Sequence, residues 1–172
     1  MKFEIKNSKL RVLAIDPRFE RLGLAIIEKK RGGKEILLYS SCFTTSAKIP
    51  FEKRIFLIGQ EVARVIKVWQ PEALAIETLF LTTNQKTAMR VAEARGVILY
   101  ESKVAGLYVK EFTPLQVKIA VTGYGRADKG QVALMVKKLL VFKDKKTKDD
   151  EFDAVAVGLT FFAHHRYPHP PL

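Results

Sequence analysis

Apolar residues crowd into short runs early in the chain and spread to helical spacing later. Leu10 to Ile15 is apolar except at Arg11. A run apolar on both faces predicts a central strand over 10–16. Pro17 stops it, because proline cannot donate to a ladder. A polar turn, Arg18-Phe19-Glu20-Arg21, leads to a second predicted strand over 22–28. Gly32 and Gly33 mark the next turn, and 35–43 predicts a third strand. Three strands with short links make an antiparallel meander.

Helical spacing begins at Phe51. Ile55, Phe56, Ile58, Val62, Val65, Ile66 and Trp69 follow mostly in steps of three and four, so 51–69 predicts an amphipathic helix stopped before Pro71. A fourth strand is expected over 73–77 and a loop over 78–83. Asn84 is the expected cap of a long helix reaching about 105. Residues 108–112 predict a fifth strand. Thr113-Pro114 opens a helix to about 121, with proline in the first turn where its missing N–H costs nothing. Gly123-Tyr124-Gly125 breaks the chain before a helix over 127–140. A basic loop over 143–148 precedes a last helix over 148–165. The expected class is therefore α/β, a mixed five-stranded sheet flanked by helices. One domain is expected over 1–172, with 1–9 as a lead-in and the proline-rich 166–172 as a flexible tail.

Composition narrows the function. The chain has 172 residues, 48% of them hydrophobic, which suits a folded domain rather than a disordered one. Its formal net charge of +12 points to a polyanionic partner, because neutralising phosphates releases condensed counterions. A solubility charge or a membrane-surface contact is the blander reading. Cys42 is the only cysteine, which excludes an intrachain disulfide and fits a reducing, cytoplasmic setting. It reads as a small apolar filler. No apolar run approaches the roughly 20 residues that span a bilayer. Met1–Lys6 is too polar for a signal peptide.

Against this basic background, four acids stand out. Asp16 and Glu77 each end an apolar strand. Asp150 and Asp153 open the last helix three residues apart, on one face. If the first and fourth strands are parallel neighbours, Asp16 and Glu77 share the crevice where α/β sheets place ligands. Four clustered carboxylates repel one another, and divalent cations relieve that repulsion. Two such cations about 4 Å apart can clamp an in-line attack on phosphate. Each acid also has an ordinary reading, as a turn former or a helix cap. Glu77 is the hardest to explain that way, since a carboxylate closing Ala-Leu-Ala-Ile needs a partner.

The motifs around these acids resemble those of RuvC, the crossover junction endodeoxyribonucleases that resolve Holliday junctions. The resemblance runs from about Leu10 to His165. It rests on Leu13-Ala14-Ile15-Asp16-Pro17, Ala75-Ile76-Glu77-Thr78-Leu79-Phe80 and Ala92-Glu93-Ala94-Arg95-Gly96-Val97. It continues in Gln116-Val117-Lys118, Gly123 through Val132, and Asp150-Glu151-Phe152-Asp153-Ala154. It implies an RNase H-like fold and catalytic, metal-holding roles for Asp16, Glu77, Asp150 and Asp153. The expected cofactor is Mg2+, two ions per active site, with Mn2+ as a substitute. The implied partners are four-way junction DNA, a second copy in a homodimer built on the helix near 84–106, and a branch-migration helicase complex. Arg18 departs from the glycine that usually follows Asp-Pro, and Phe19 is bulky for that turn. Both are expected to reshape the entrance to the metal site.

Lys118 matches a family lysine near the active site, where a cation could steady the developing charge; the alternative is a solvated helix lysine. Phe80, in the loop after the second catalytic strand, is expected to stack on junction bases, with a core role as its alternative. Lys86, Arg90, Arg126 and Lys129 are expected to contact DNA backbone. Arg126 and Lys129 stand out because they flank a helix start, where backbone N–H groups also favour phosphate. The competing functions are an RNase H-like nuclease acting on structured RNA and a non-catalytic junction binder.

Overall fold

The computed structural model describes residues 9–78, 85–142 and 147–165. Phe80 and lysines 143, 145 and 146 lie outside the described residues, as do the lead-in 1–8, the Asn84 cap and the tail 166–172. The elements are β1 (Lys9–Asp16), β2 (Arg21–Lys30), β3 (Glu35–Thr44), α1 (Phe51–Trp69), β4 (Ala73–Glu77), α2 (Gln85–Val104), β5 (Tyr108–Phe112), α3 (Pro114–Thr122), α4 (Lys129–Leu139) and α5 (Asp149–His164).

The strands form one sheet in the order β3-β2-β1-β4-β5. The β1–β2 and β2–β3 pairs are antiparallel, whereas β4 runs parallel to both β1 and β5. β1 is thus the central strand, as its two-faced apolar run requires. The two-residue period divides its side chains between the faces. Leu10, Val12 and Ala14 join Ala25, Ile27, Ala73 and Ala75 beneath α3, α4 and α5. Leu13 and Ile15 join Leu24, Ile26, Leu74 and Ile76 beneath α1 and α2.

α5 is apolar nearly all round, as a helix enclosed on several sides must be. It comes close to the sheet because the sheet offers it small residues. A Cβ on Gly158 would lie 2.6 Å from Ile27 Cδ1 and 3.0 Å from Ala14 Cβ. A Cβ on Gly23 would lie 2.1 Å from the Asp150 carbonyl oxygen. The first turn of α5 therefore rests directly on the β2 backbone.

Several element boundaries differ from expectation, and three have a clear structural basis. Lys9 belongs to β1, where it pairs with Lys30, and is not part of a lead-in. β2 extends to Lys30 because the reversal is tight: Gly32 has φ 71°, and the Gly33 N–H bonds to the Lys30 carbonyl at 2.9 Å. α4 begins at Lys129 rather than 127, because Asp128 caps it by accepting the Gln131 N–H at 2.8 Å.

Candidate active site

The side-chain period that divides the core also aims the acids. Asp16 follows Val12 and Ala14 on one face, and Glu77 follows Ala73 and Ala75. The parallel register pairs Ile15 with Ile76, so Asp16 and Glu77 come next along neighbouring strands. Both lie at carboxyl ends, under the start of α5. Asp150 and Asp153 reach the same place from the first turns of that helix, where the macrodipole favours negative charge. Gly23 is the cross-strand partner of Asp16, and its bare Cα lets the helix descend.

One carboxylate oxygen each from Asp16, Asp150 and Asp153 lies within 4.8 Å of the others. Asp16 is 6% exposed and Asp150 is 2% exposed. Glu77 stands outside that three-residue group but lines the same cleft of about 130 Å³, together with Lys118 and Lys129. Burial, followed by the Asp16 and Asp153 charges, pushes the Glu77 carboxyl up to about 7. Asp16 is raised as well: burial outweighs the pull of Arg18, and Asp153 and Asp150 add to it. Burial leads both upward shifts, and the acids Asp16, Glu77 and Asp153 share the cleft lining with the cations Arg18, Lys118 and Lys129. The acid donors are hard oxygens in reach of a shared ion, which fits a divalent cation of the Mg2+ or Mn2+ type.

Arg18 enters this cage. Its Nε donates to Asp16 Oδ2 at 2.8 Å and its Nη2 to Asp153 Oδ2 at 2.7 Å, while Nη1 lies 3.6 Å from Asp150 Oδ1. Burial works against the Arg18 charge, but Asp16, Asp153 and Asp150 more than offset it and raise its pKa. Phe19 turns to the opposite side. It packs 4.9 Å from the Phe51 ring and under the Arg54 guanidinium at 3.8 Å, buried in the core beneath α1. Its bulk therefore anchors the β1–β2 turn rather than narrowing the cleft.

Arg21 Nε lies 3.5 Å from Asp150 Oδ2, and Lys129 Nζ lies 3.5 Å from Asp153 Oδ2. Cys42 is half-buried and its thiol donates to Asp150 Oδ2 at 3.5 Å, so it is not the apolar filler expected of it. Burial and then Asp150 push that thiol up. The contacts of Arg21 and Cys42 with Asp150 had no signal in the sequence, because they depend on how α5 lands on β2 and β3. Arg18 had one: a guanidinium two residues beyond a strand-end acid.

The expected DNA contacts scatter. Lys118 and Lys129 rim the cleft. Arg126 is exposed between α3 and α4 and is not among the cleft-lining residues. Arg90 lies over the Phe19 and Phe51 rings at 5.6 and 5.4 Å. Lys86 belongs to the first turn of α2.

Comparison with known proteins gives the same picture. The family profile described as crossover junction endodeoxyribonuclease RuvC matches residues 12–161. Relatives bearing that name include the protein of Caldicellulosiruptor saccharolyticus, 41% identical over 150 residues (87% of this chain, 90% of the relative). The Finegoldia magna protein is 43% identical over 150 residues (87% and 91%). Among solved structures, Thermus thermophilus RuvC in complex with a Holliday junction substrate superposes with a TM-score of 0.83 at 34% identity, over 90% of this chain and 94% of that one. The yeast mitochondrial Holliday junction resolvase Ydc2, at 14% identity and a TM-score of 0.69, shares the RNase H-like fold over 90% of this chain and 78% of its own. With the profile spanning most of the chain and relatives above 40% identity, this protein belongs to the RuvC family of crossover junction endodeoxyribonucleases.

Proposed function

We propose that this protein resolves four-way DNA junctions, hydrolysing one phosphodiester in each of two symmetry-related strands to leave a 3′-hydroxyl and a 5′-phosphate. The observation that carries this reading is the convergence of Asp16, Asp150 and Asp153 beside Glu77, in a cleft rimmed by lysines on a strongly basic chain. The Thermus thermophilus relative solved with a Holliday junction supports the choice of substrate.

In this reading Asp16, Glu77, Asp150 and Asp153 hold two Mg2+ ions, with Mn2+ as a substitute. When bound, the ions supply a water nucleophile and stabilise the leaving oxygen. Asp16, on the central strand, would hold an ion together with Asp150 and Asp153. Lys118 steadies the phosphate at the cleft, and Lys129 and Arg126 meet backbone phosphates near the start of α4. Phe80, Lys86 and Arg90 are further DNA contacts in this reading. A single RNase H-like nuclease domain spans the chain, acting in the cytoplasm beside a branch-migration helicase complex.

A homodimer completes the reading, since two identical strands call for two identical sites. Met89, Tyr100 and Val104 of α2 and Phe56 of α1 are exposed apolar residues. Phe51, Ile55, Val97 and Tyr100 line a shallow groove between those helices. Such an apolar face suits a two-fold contact.

The test is a purified-protein assay on a mobile four-way junction, with and without Mg2+, beside a structured RNA. Paired nicks in the junction that require Mg2+, with the RNA intact, are expected. Asp16→Asn should abolish nicking while leaving junction binding largely in place. Continued nicking by that variant would overturn the catalytic assignment.

A further inference from the structure

Arg18 is a cation set among the carboxylates expected to hold metal. Its guanidinium spans Asp16, Asp150 and Asp153, and two of those contacts are hydrogen bonds shorter than 3 Å. A hard cation shared by these acids would draw on carboxylate oxygens at about 2.1 Å, and the guanidinium already occupies Oδ2 of both Asp16 and Asp153. The guanidinium and the ion therefore compete for one space. Competition of this kind favours the group that is already present, because Arg18 is tethered and brings no loss of translational freedom.

The tether is well defined. The Arg18 N–H bonds to the Asp16 carbonyl at 3.1 Å, and Phe19 locks the next residue into the core on the far side. Arg18 does not have a positive φ, so the backbone shows no need for glycine here. The head group is nonetheless free to leave. Its side chain is 37% exposed, against 3% for Asp150, so the guanidinium sits at the mouth with solvent beside it. A phosphodiester entering that mouth offers the planar fork a second bidentate partner.

We infer that Arg18 is the resident counter-ion of the acid cage and that it yields the cage when a DNA phosphate takes up its guanidinium. Metal loading is then coupled to substrate binding. The free protein holds its carboxylates neutralised and admits divalent ions weakly. Once DNA engages Arg18, the same oxygens are released for the ion. This inference rests on the metal-dependent nuclease reading proposed above.

The experiment measures Mn2+ binding directly, from the electron paramagnetic resonance signal of the free ion, without reference to cleavage. Unmodified protein, Arg18→Gly and Arg18→Gln are each titrated alone and with a phosphorothioate four-way junction. Without DNA, both variants should bind Mn2+ about tenfold more tightly than the unmodified protein, the scale of one lost like-charge contact at a partly solvated site. With DNA, that gap should close to about twofold. Thermal melting without metal should show both variants less stable, and Mn2+ should raise their melting temperatures more than that of the unmodified protein. Gln keeps the side chain's bulk without its charge, so the test survives if the glycine variant fails to fold.

Equal Mn2+ affinity of all three proteins without DNA would overturn the role of Arg18. A gap that persists unchanged with DNA would overturn the coupling. Absence of Mn2+ binding by every form, with and without DNA, would instead remove the metal-dependent reading and this inference with it.

Discussion

Glu77 shows how far one residue's setting departs from its sequence. The acid was conspicuous because it closes an apolar strand, and the structure gives it the rise that such burial causes, from the ordinary 4.5 to about 7. Between those values the folded chain holds a proton that the unfolded chain has released. The metal-free protein should therefore lose stability as pH rises from about 4.5 to about 7, on the order of 3 kcal/mol from this group, and level off above. Asp16 shifts in the same direction and adds to the trend. Glu77→Gln should flatten the slope, and urea melts of both proteins at about pH 5 and about pH 8 measure the difference. If the variant follows the same pH curve as the unmodified protein, the buried carboxylate is not its source. The four acids were legible because strand ends and helix starts can be read locally. For Arg18 the sequence showed only its nearness to Asp16; its reach to Asp153 and Asp150 was not legible, since α5 brings those acids from the far end of the chain.

Among the elements, α5 decides whether the site exists. Its acids meet Asp16 only because Gly23 leaves room for the helix backbone. Gly23→Ala should push the first turn of α5 away, since the obstacle is the fixed Asp150 carbonyl at 2.1 Å. A loss of about 1–3 kcal/mol is expected, together with weakened Mn2+ binding. Gly158→Ala meets Ile27 Cδ1 at 2.6 Å and Ala14 Cβ at 3.0 Å, side chains rather than backbone, and should cost less. Melting temperatures and Mn2+ titrations rank the two; the reverse order would refute this account of how the helix is seated. The elements themselves were readable from period alone, because β1 is apolar on both faces and α1 repeats every three or four residues. Their ends were less so. Asp128 acts as a cap in place of a helical residue, and the Lys9–Lys30 pair continues a ladder that the apolar pattern had already left.

At the scale of the whole molecule, the acids and the apolar face of α2 lie on opposite sides of one sheet. Tyr100→Glu should split the proposed dimer and leave Mn2+ affinity within about twofold of the unmodified protein, because a surface charge beyond the sheet is screened within about a Debye length. Sedimentation gives the first quantity and metal titration the second. A monomer with a damaged metal centre would contradict the separation. The sequence carried the exposed residues of α2 but not their side, which is fixed where Ala94 and Ile98 of α2 pack on the Leu13, Ile15, Leu74 and Ile76 face. The sheet is thus a partition wall. If the proposed pairing holds, inheritance can redraw that contact on one side while the acid cleft on the other stays as it is, so pairing and cutting would be free to drift at different speeds.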